Sequence, residues 1–307
     1  MKRLLNIILI YVIALAANAQ LMKERRVYYL DCSYSMKTNG IWDDVRDNLK
    51  KAIDNVADET TELIVIPFAD NKLTNPTLHP MRQLATPAGK RKLKSQIDAL
   101  PMNKLTTTYH YIPITDFYNN RVDNDKVTYM FLMTDGEDED QSRRALNQLL
   151  PQWGKKYADK DVYGFYVMLD KKAYNPAVDK VVNSQEHLWK VATADVNINL
   201  VRLQSKGIFN AKNDKYLDLP IYGNAAGKSF SAALPDNCPY KVKKVEKKSN
   251  SLRIWVEHQA GQKLPVSASY PLSVKMSGGG KFDFMVTEKV KVKCEYKPER
   301  TLKITVR

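Results

Sequence analysis

The sequence is poor in the residues that cross-link a chain or keep it unfolded. It has three cysteines among 307 residues, too few for a scaffold held together by disulfides. Glycine and proline contribute 12 and 14 residues, which excludes a collagen-like or low-complexity chain. Hydrophobic residues make up 44% and aromatic residues 9%, which is enough for a packed core. A chain of this length corresponds to about two domains.

Several motifs of enzymes and of nucleic-acid-binding proteins are also missing. The sequence contains no G-x-G-x-x-G, no P-loop and no G-x-S-x-G, so it offers neither a phosphate cradle nor a nucleophile elbow. Its four histidines form no H-E-x-x-H and no Cys/His spacing of a zinc site. We therefore predict that the protein is not an enzyme, binds no nucleic acid and holds no zinc of this kind.

A long hydrophobic run occurs only at the N-terminus. Lys2 and Arg3 precede an apolar run over 4–17, and Ala17-Asn18-Ala19 follows as an A-x-A cleavage pattern. This order is typical of a secretory signal peptide over 1–19. The alternative is a membrane anchor, but the run is short for a span of about 20 residues. We expect a mature chain that begins at Gln20 and is exported to the periplasm, the cell surface or the medium.

Charge divides the rest of the chain near residue 205. Residues 20–204 hold 26 basic and 25 acidic residues, whereas residues 205–307 hold 20 and 9. The hydrophobic pattern changes at the same place, from long apolar runs to short alternating ones. We therefore predict one domain over 20–204 and a second, basic domain over 205–307.

The first domain alternates apolar runs with amphipathic stretches. Four runs are typical of buried parallel strands, at 27–30, 63–68, 127–133 and 162–169. Apolar residues recur at helical spacing between them, over 41–56, 88–100 and 145–153. Strands that alternate with helices predict an α/β domain with a doubly wound, mostly parallel sheet. In such sheets, ligands bind beyond the C-terminal ends of the strands.

The second domain is predicted to be all-β. Residues alternate between polar and apolar over 251–257, 281–286, 289–296 and 301–307. Turn residues at 277–280 separate two of these stretches. About 100 residues of short alternating strands predict a small β-sandwich-like domain.

A cluster of oxygen-bearing residues follows the first predicted strand. Asp31, Ser33 and Ser35 form the pattern D-x-S-x-S directly after the run at 27–30. As the chain turns, one carboxylate and two hydroxyls spaced in this way can converge on one point. These are hard oxygen ligands, which suit Mg²⁺, Mn²⁺ or Ca²⁺ rather than zinc.

Two further segments supply residues of the same kind. Asp135 stands at the end of the predicted strand at 127–133, within Thr134-Asp135-Gly136. Between the two aspartates lies a threonine cluster at 106–108. Because parallel strands end at the same edge of a sheet, these side chains and Asp31 are expected to surround one cation.

This combination resembles the metal-ion-dependent adhesion site of the von Willebrand factor A (VWA) domain family, over about residues 24–203. The resemblance implies that Ser33, Ser35 and Thr106 coordinate the cation, with Thr107 as the alternative to Thr106. Asp31 and Asp135 would hold it directly or through water. The cation expected is Mg²⁺, with Mn²⁺ and Ca²⁺ as alternatives. In the family, an Asp or Glu of a partner protein often completes the coordination.

Three functions remain open at this point. The first is an exported, cation-dependent protein-binding module for adhesion or assembly. The second is a structural component of a cell-envelope complex, whose metal is purely structural. The third, ranked last, is a Mg²⁺-dependent phosphoryl-transfer enzyme, because an Asp after a strand can act as a phosphoryl acceptor.

Other features have both an ordinary and a functional interpretation. The acidic run 137–140 is either a solvated first helical turn, a second cation site, or a negative field that repels acidic partners. His110 either faces the cation site or is an ordinary histidine. Cys238 and Cys294 can form a disulfide in an exported protein, a choice that the sequence leaves open. The basic runs at 241–244 and 289–293 either protect strand edges or bind a polyanion or an anionic membrane surface.

Overall fold

In the computed structural model, the chain divides into two compact units, Met1–Asn197 and Ile198–Arg307. The structure describes residues 23–69, 78–101, 107–157, 160–169, 176–182, 184–185, 187–191, 199–203, 209–210, 216–262, 268–278, 283–287 and 290–294. The predicted signal peptide lies outside these residues. Within the described part of the chain, none of the helices has the length and apolarity needed to cross a membrane.

A six-stranded sheet forms the centre of the first unit. Its strands are β1 (Lys23–Asp31), β2 (Glu62–Phe68), β3 (Met81–Leu84), β4 (Lys126–Thr134), β5 (Val162–Met168) and β6 (Leu188–Val191). They lie in the order β3-β2-β1-β4-β5-β6. Neighbouring strands are parallel, except that β3 is antiparallel to β2. The predicted α/β fold with a mostly parallel sheet is confirmed, and its four predicted strands correspond to β1, β2, β4 and β5.

Helices fill the connections of this sheet. They are α1 (Tyr34–Thr38), α2 (Trp42–Asp54), α3 (Pro87–Asp98), α4 (Tyr111–Asn120), α5 (Asp140–Leu149), α6 (Trp153–Tyr157) and α7 (Pro176–Val182). Helix α2 buries Trp42, Val45, Leu49 and Ile53, which share one face. The helix predicted over 145–153 is interrupted by a 3-10 turn, Leu150–Gln152, because Pro151 lacks the N–H that a continuous helix needs.

Aromatic side chains cover both faces of the sheet. On one face, the rings of Phe117 and Trp153 stack with their centroids 5.5 Å apart. Trp153 reaches the sheet at Gly164, where an added Cβ would lie 2.6 Å from the indole. On the other face, Tyr28, Phe131, Phe165 and Trp189 form a ladder across β1, β4, β5 and β6, with successive centroids 4.7, 5.1 and 5.2 Å apart. Stacked rings of this kind stabilise neighbouring strands beyond the area that they bury.

The strand order places a crevice at the C-terminal ends of β1 and β4. The chain adds β2 and β3 on one side of β1, and then adds β4, β5 and β6 on the other side. The connections after β1 and β4 therefore leave the sheet in opposite directions, which opens a ligand site between them. The register pairs Leu30 with Met133, so Asp31 and Thr134 are neighbours at this edge.

The second unit consists of two sheets. Its strands are β7 (Asn199–Leu203), β8 (Phe209–Asn210), β9 (Tyr216–Tyr222), β10 (Ser229–Ala233), β11 (Tyr240–Lys247), β12 (Ser251–His258), β13 (Ala268–Ser277), β14 (Asp283–Thr287) and β15 (Val290–Cys294). One sheet has the order β10-β13-β15-β8 and the other β11-β12-β9-β7-β14. Most pairs are antiparallel, but β14 pairs with β7 and β15 pairs with β8 in parallel.

A single apolar core is shared by these two sheets. Leu219, Leu252 and Ile254 come from the five-stranded sheet, while Leu272 and Val274 come from the four-stranded one. This arrangement agrees with the predicted sandwich-like, all-β region. The strand predicted over 251–257 corresponds to β12, and those over 281–286 and 289–296 correspond to β14 and β15. The one predicted over 301–307 lies outside the described residues.

The division between the units falls slightly before the predicted boundary at 204/205. The reason is β7, which pairs with β9 and β14 of the second unit. Its short apolar pattern resembles that of the preceding strands, and only its partners distinguish it from them. Cys238 is a buried, free cysteine of the second core. Cys238 therefore forms no disulfide with any described side chain, and the side chain of Cys294 lies outside what the structure describes.

Candidate metal centre

Asp31 lies at the centre of the candidate site. It is the last residue of β1 and is fully buried. Its Oδ1 accepts a hydrogen bond from the backbone N–H of Ser33 at 2.9 Å. Its Oδ2 accepts one from the hydroxyl of Thr134 at 2.7 Å. Both carboxylate oxygens are therefore held in place by the ends of two adjacent strands.

Asp135 is the second buried carboxylate. It follows β4, and its Oδ1 accepts a hydrogen bond from the backbone N–H of Glu137 at 3.0 Å. Its Oδ2 accepts one from the side-chain amide of Asn39 at 3.3 Å. Asn39 comes from the end of α1, so it links the loop after β1 to the loop after β4. Nothing in its sequence context, beyond the turn signal of Asn39-Gly40, marks it as part of the site.

The two carboxylates affect each other. Burial and, secondly, repulsion by Asp135 raise the pKa of Asp31 from 3.8 to about 6, although His110 and Thr134 act in the opposite direction. A buried pair of like charges is unfavourable unless a cation compensates it. The electrostatics of the site therefore favour a bound cation.

The two serines of the motif present their hydroxyls to each other. Ser33 and Ser35 are buried, and their Oγ atoms lie 2.9 Å apart. Ser33 occupies the N-cap position of α1, yet its side chain makes no capping hydrogen bond to that helix. A serine at an N-cap ordinarily uses its hydroxyl for this purpose. Both hydroxyls are thus directed to the same point as potential oxygen ligands.

The threonine cluster is described only in part. Thr106, the predicted ligand, lies outside the described residues, and Thr107 is half-buried. Thr108 is 3% exposed, and its Oγ1 has no hydrogen-bond partner within the described part of the chain. A buried hydroxyl without a partner is costly, which is consistent with a role as an oxygen ligand. Thr108 is therefore a third candidate, and no sequence pattern distinguishes it from Thr106 and Thr107.

His110 belongs to the site's surroundings. It is fully buried, and its Nε2 lies 2.9 Å from the hydroxyl of Thr134. Its Nδ1 lies 2.5 Å from the hydroxyl of Tyr166. A single hydroxyl, that of Thr134, thus separates the ring of His110 from Asp31.

The acidic run after β4 fits neither interpretation along its whole length. Helix α5 begins at Asp140, and Glu137 and Asp140 are exposed, as expected of a solvated first turn. Asp138, in contrast, is buried, and its Oδ1 accepts a hydrogen bond from the backbone N–H of His110 at 3.1 Å. Asp138 therefore binds the start of α4 instead of facing solvent. That role depends on a contact between distant segments and leaves no local signal.

The donor set favours a hard cation. Among the described residues, no three His, Cys, Asp or Glu side chains gather into a metal-binding group. The site instead combines two carboxylates with serine and threonine hydroxyls, and such oxygen donors suit Mg²⁺, Mn²⁺ or Ca²⁺. Cys32, within the motif, is buried, and burial together with the charge of Asp31 raises the pKa of its thiol. While the loop is closed, Cys32 is therefore a protonated packing residue.

Comparisons with known proteins give similarity at the level of solved structures. No protein-family model matches the sequence, and no curated protein matches it. Proximal thread matrix protein 1 from the mussel byssus is 12% identical, with a TM-score of 0.43, over 62% of this chain and 53% of that one. The chain thus spans about half the length of the mussel protein. A further structure of that protein has a zinc-occupied MIDAS motif and is 15% identical, with a TM-score of 0.42, over 56% of this chain and 42% of that one.

Bacterial proteins are also similar. A von Willebrand factor type A protein from Catenulispora acidiphila is 12% identical, with a TM-score of 0.40, over 90% of this chain and 67% of that one. BatB from Bacteroides thetaiotaomicron is 11% identical, with a TM-score of 0.38, over 55% of this chain and 91% of that one. The first unit of this chain is an α/β domain whose mostly parallel sheet has the strand order given above.

Proposed function

We propose that the protein is an exported module that binds a partner protein through a divalent cation, and that an Asp or Glu of the partner completes the coordination of that cation. The observation that carries this proposal is the pair of buried carboxylates, Asp31 and Asp135, beside the hydroxyls of Ser33 and Ser35. Like charges in a buried site need a compensating cation. An unpartnered hydroxyl at Thr108 supports the same conclusion.

The residues of the site would contribute to cation binding in two ways. Ser33, Ser35 and one threonine of the 106–108 cluster would supply neutral oxygen ligands, and Asp31 and Asp135 would supply the charge. When bound, the cation offers an electrophilic position to an anionic oxygen. We favour Mg²⁺, because it prefers oxygen donors and keeps open positions for ligands from outside. Neutral ligands leave the cation enough charge to attract the carboxylate of a partner.

Thermal unfolding of the mature chain, beginning at Gln20, tests the metal site first. A ligand that binds only the folded state stabilises it by mass action, by about 2.7 kcal/mol at 100 times its Kd. We expect Mg²⁺ or Mn²⁺ to raise the Tm above the value in EDTA, and Asp31→Ala and Ser33→Ala to abolish this shift. Ser33→Ala removes one hydroxyl only and keeps the test valid if Asp31→Ala fails to fold. Ser95→Ala, at an exposed serine of α3, is the matched control.

Capture of partners then tests the binding function. We expect immobilised protein to retain a component of a cell-envelope extract in Mg²⁺ but not in EDTA, and Ser33→Ala to retain none. Amidation of the carboxylates in the extract should abolish retention. A Tm shift without cation-dependent capture would instead support the structural alternative, in which the metal only stabilises the fold. The absence of any Tm shift would contradict both.

A second candidate function concerns the hairpin of β11 and β12. Residues 240–258 contain five lysines and Arg253 but only two glutamates. Glu257 pairs with Lys241 and Lys243 at 3.3 and 3.2 Å. Glu246 likewise pairs with Lys244 and Lys248. Each carboxylate thus faces two cations, so the hairpin keeps an excess of positive charge. We propose that this hairpin contacts an anionic surface outside the cell.

Sedimentation with vesicles tests this second proposal. We expect the protein to sediment with vesicles that contain anionic lipid and not with zwitterionic ones, and to be released by added salt. Lys241→Glu/Lys243→Glu should abolish binding, whereas Arg91→Glu/Lys92→Glu, at exposed positions of α3, should not. Competition by a soluble polyanion distinguishes a polymer ligand from a lipid one. Equal binding by both double variants would contradict the proposal.

A further inference from the structure

The buried ring of His110 uses both of its nitrogens. Nε2 lies 2.9 Å from Thr134 Oγ1, and Nδ1 lies 2.5 Å from the hydroxyl of Tyr166. Tyr166 belongs to β5 and is fully buried, and burial raises its pKa well above the ordinary value. A hydroxyl in such a place keeps its proton. The ring therefore bridges the ends of β4 and β5 through two hydrogen bonds.

The hydrogen bonds of Thr134 determine which nitrogen of His110 carries a proton. The Thr134 hydroxyl donates its single proton to Oδ2 of Asp31, at 2.7 Å. It also accepts a hydrogen bond from the backbone N–H of Gly136, at 3.1 Å. Its remaining contact, with His110, must therefore have the ring nitrogen as the donor. The hydrogen bonds of Thr134 therefore assign a proton to Nε2 of His110.

The backbone around His110 is tied to the same loops. The N–H of His110 donates to Oδ1 of Asp138, and the N–H of Tyr111 donates to Oγ of Ser142, both at 3.1 Å. The N–H of Glu139 donates to the backbone oxygen of Thr108 at 3.0 Å. Helix α4 has no side-chain cap of its own at His110. The segment after β4 and the first turn of α5 therefore cap helix α4, and Glu139 holds the backbone of Thr108 next to this segment.

We propose that His110 is a positioning residue of the cation site: its Nε2–H keeps the Thr134 hydroxyl directed at Asp31, and Tyr166 keeps the ring in that orientation. This inference rests on the cation site of the proposed function. The carboxylate of Asp31 is thereby oriented before the cation arrives, so less ordering is left for the binding step. Groups that orient metal ligands in this way typically change metal affinity by 10- to 100-fold when they are removed.

Two substitutions of His110 separate orientation from packing. The side-chain amide of Gln places its nitrogen near the position of Nε2, whereas that of Asn places it near Nδ1. We expect His110→Asn to weaken Mn²⁺ binding by about tenfold or more and His110→Gln to retain most of the affinity. The measurement is calorimetric titration of Mn²⁺ into the mature full chain. The Tm of each variant in EDTA reports its stability separately.

Tyr166→Phe tests the other end of this arrangement. It removes only the hydroxyl that holds Nδ1, so we expect weaker Mn²⁺ binding than in the wild type, by less than in His110→Asn. Tyr157→Phe is the matched control, because the hydroxyl of Tyr157 is also buried in the first unit but has no hydrogen-bond partner among the described residues. It should leave the affinity unchanged.

The outcomes distinguish this inference from the proposed function. If His110→Asn and His110→Gln bind Mn²⁺ as the wild type does and differ only in Tm, His110 is merely structural and the inference is wrong. If the wild type binds no cation, the proposed function fails instead. The tautomer of His110 in EDTA, read from its imidazole ¹⁵N spectrum, tests the proton assignment in either case. A proton on Nδ1 alone would overturn it.

Discussion

The two units differ in where they keep their polar groups. Among the described residues, the buried polar and charged side chains lie in the first unit, with the exception of Arg202. The second unit has an apolar core and carries its charge on exposed strands. Both arrangements fold, but burial of polar groups is costly unless each one finds a partner. In the first unit, part of this cost falls on the candidate site, at Asp31, Ser33 and Asp135, whereas the described core of the second unit contains no such cluster.

Substitutions in the two cores test this comparison, and they should change the free energy of unfolding more than any other substitution proposed below. Ile254 of the second core and Ile66 of the first are both fully buried. Each Ile→Ala change should reduce the free energy of unfolding by about 2–5 kcal/mol. We expect Ile254→Ala to leave the calorimetric affinity for Mg²⁺ unchanged, because its core contains no part of the site. A greater loss of Mg²⁺ affinity in Ile254→Ala than in Ile66→Ala would contradict the assignment of the site to the first unit.

The pH dependence of stability should have opposite signs in the two units. The pKa of Asp31 is raised to about 6 by burial and by Asp135. The cation-free folded state therefore holds this proton more tightly than the unfolded chain. Ionisation of Asp31 should destabilise that state by about 3 kcal/mol as the pH rises from about 4 to about 6. In the second unit, hydrogen bonds from Lys248 and Lys244 lower the pKa of Glu246, so its contribution is lost as the pH falls through that lowered value.

Thermal unfolding in EDTA between pH 4 and pH 7.5 measures the effect of Asp31. In EDTA, the Tm of the wild type should decrease over this range relative to the Tm of Asp31→Asn. Saturating Mg²⁺ should abolish this decrease in the wild type. Asp31→Asn is the matched control, since it keeps the shape of the side chain and loses the ionisation. Identical profiles for the two proteins in EDTA would contradict the prediction.

The smallest expected effect concerns the threonine cluster. Thr108→Val removes a buried hydroxyl that has no partner among the described residues, so the cation-free protein should be as stable as the wild type or more stable by about 1 kcal/mol. Chemical denaturation in EDTA measures this difference. A loss of stability would show that the hydroxyl has a partner. Calorimetric titration of Mg²⁺ into Thr106→Val, Thr107→Val and Thr108→Val identifies the ligand, because its loss should weaken Mg²⁺ binding most.

Most of the first unit could be predicted because its signals are local. A run such as 63–68 is short and apolar throughout. This pattern is typical of a strand that is buried on both faces. The D-x-S-x-S spacing places Asp31, Ser33 and Ser35 together by chain geometry alone. Asp135 could be added because parallel strands end at one edge of a sheet. Strand β3 was missed, since it is short and half-exposed.

The rest of the site depends on contacts between distant segments. Asn39 meets Asp135, and Asp138 meets His110, across separations of 96 and 28 residues. No local sequence pattern around these residues indicates such a contact. Sequence alone does not select the threonine ligand, because three adjacent threonines offer similar hydroxyls and only the path of the loop distinguishes them. Local patterns thus indicate the candidate ligands that lie within one turn of chain, whereas the residues that contact them become visible only in the tertiary structure.

Cys32 gives the protein a natural chemical reporter. Its thiol lies between the aspartate and the first serine of the motif, and 5% of the residue is exposed. An alkylating reagent can reach it only when the loop after β1 opens, so the rate of labelling measures how often that opening occurs. Any ion or partner that closes the loop must slow the modification. The kinetics of one side chain can therefore follow occupancy of the site without an attached dye.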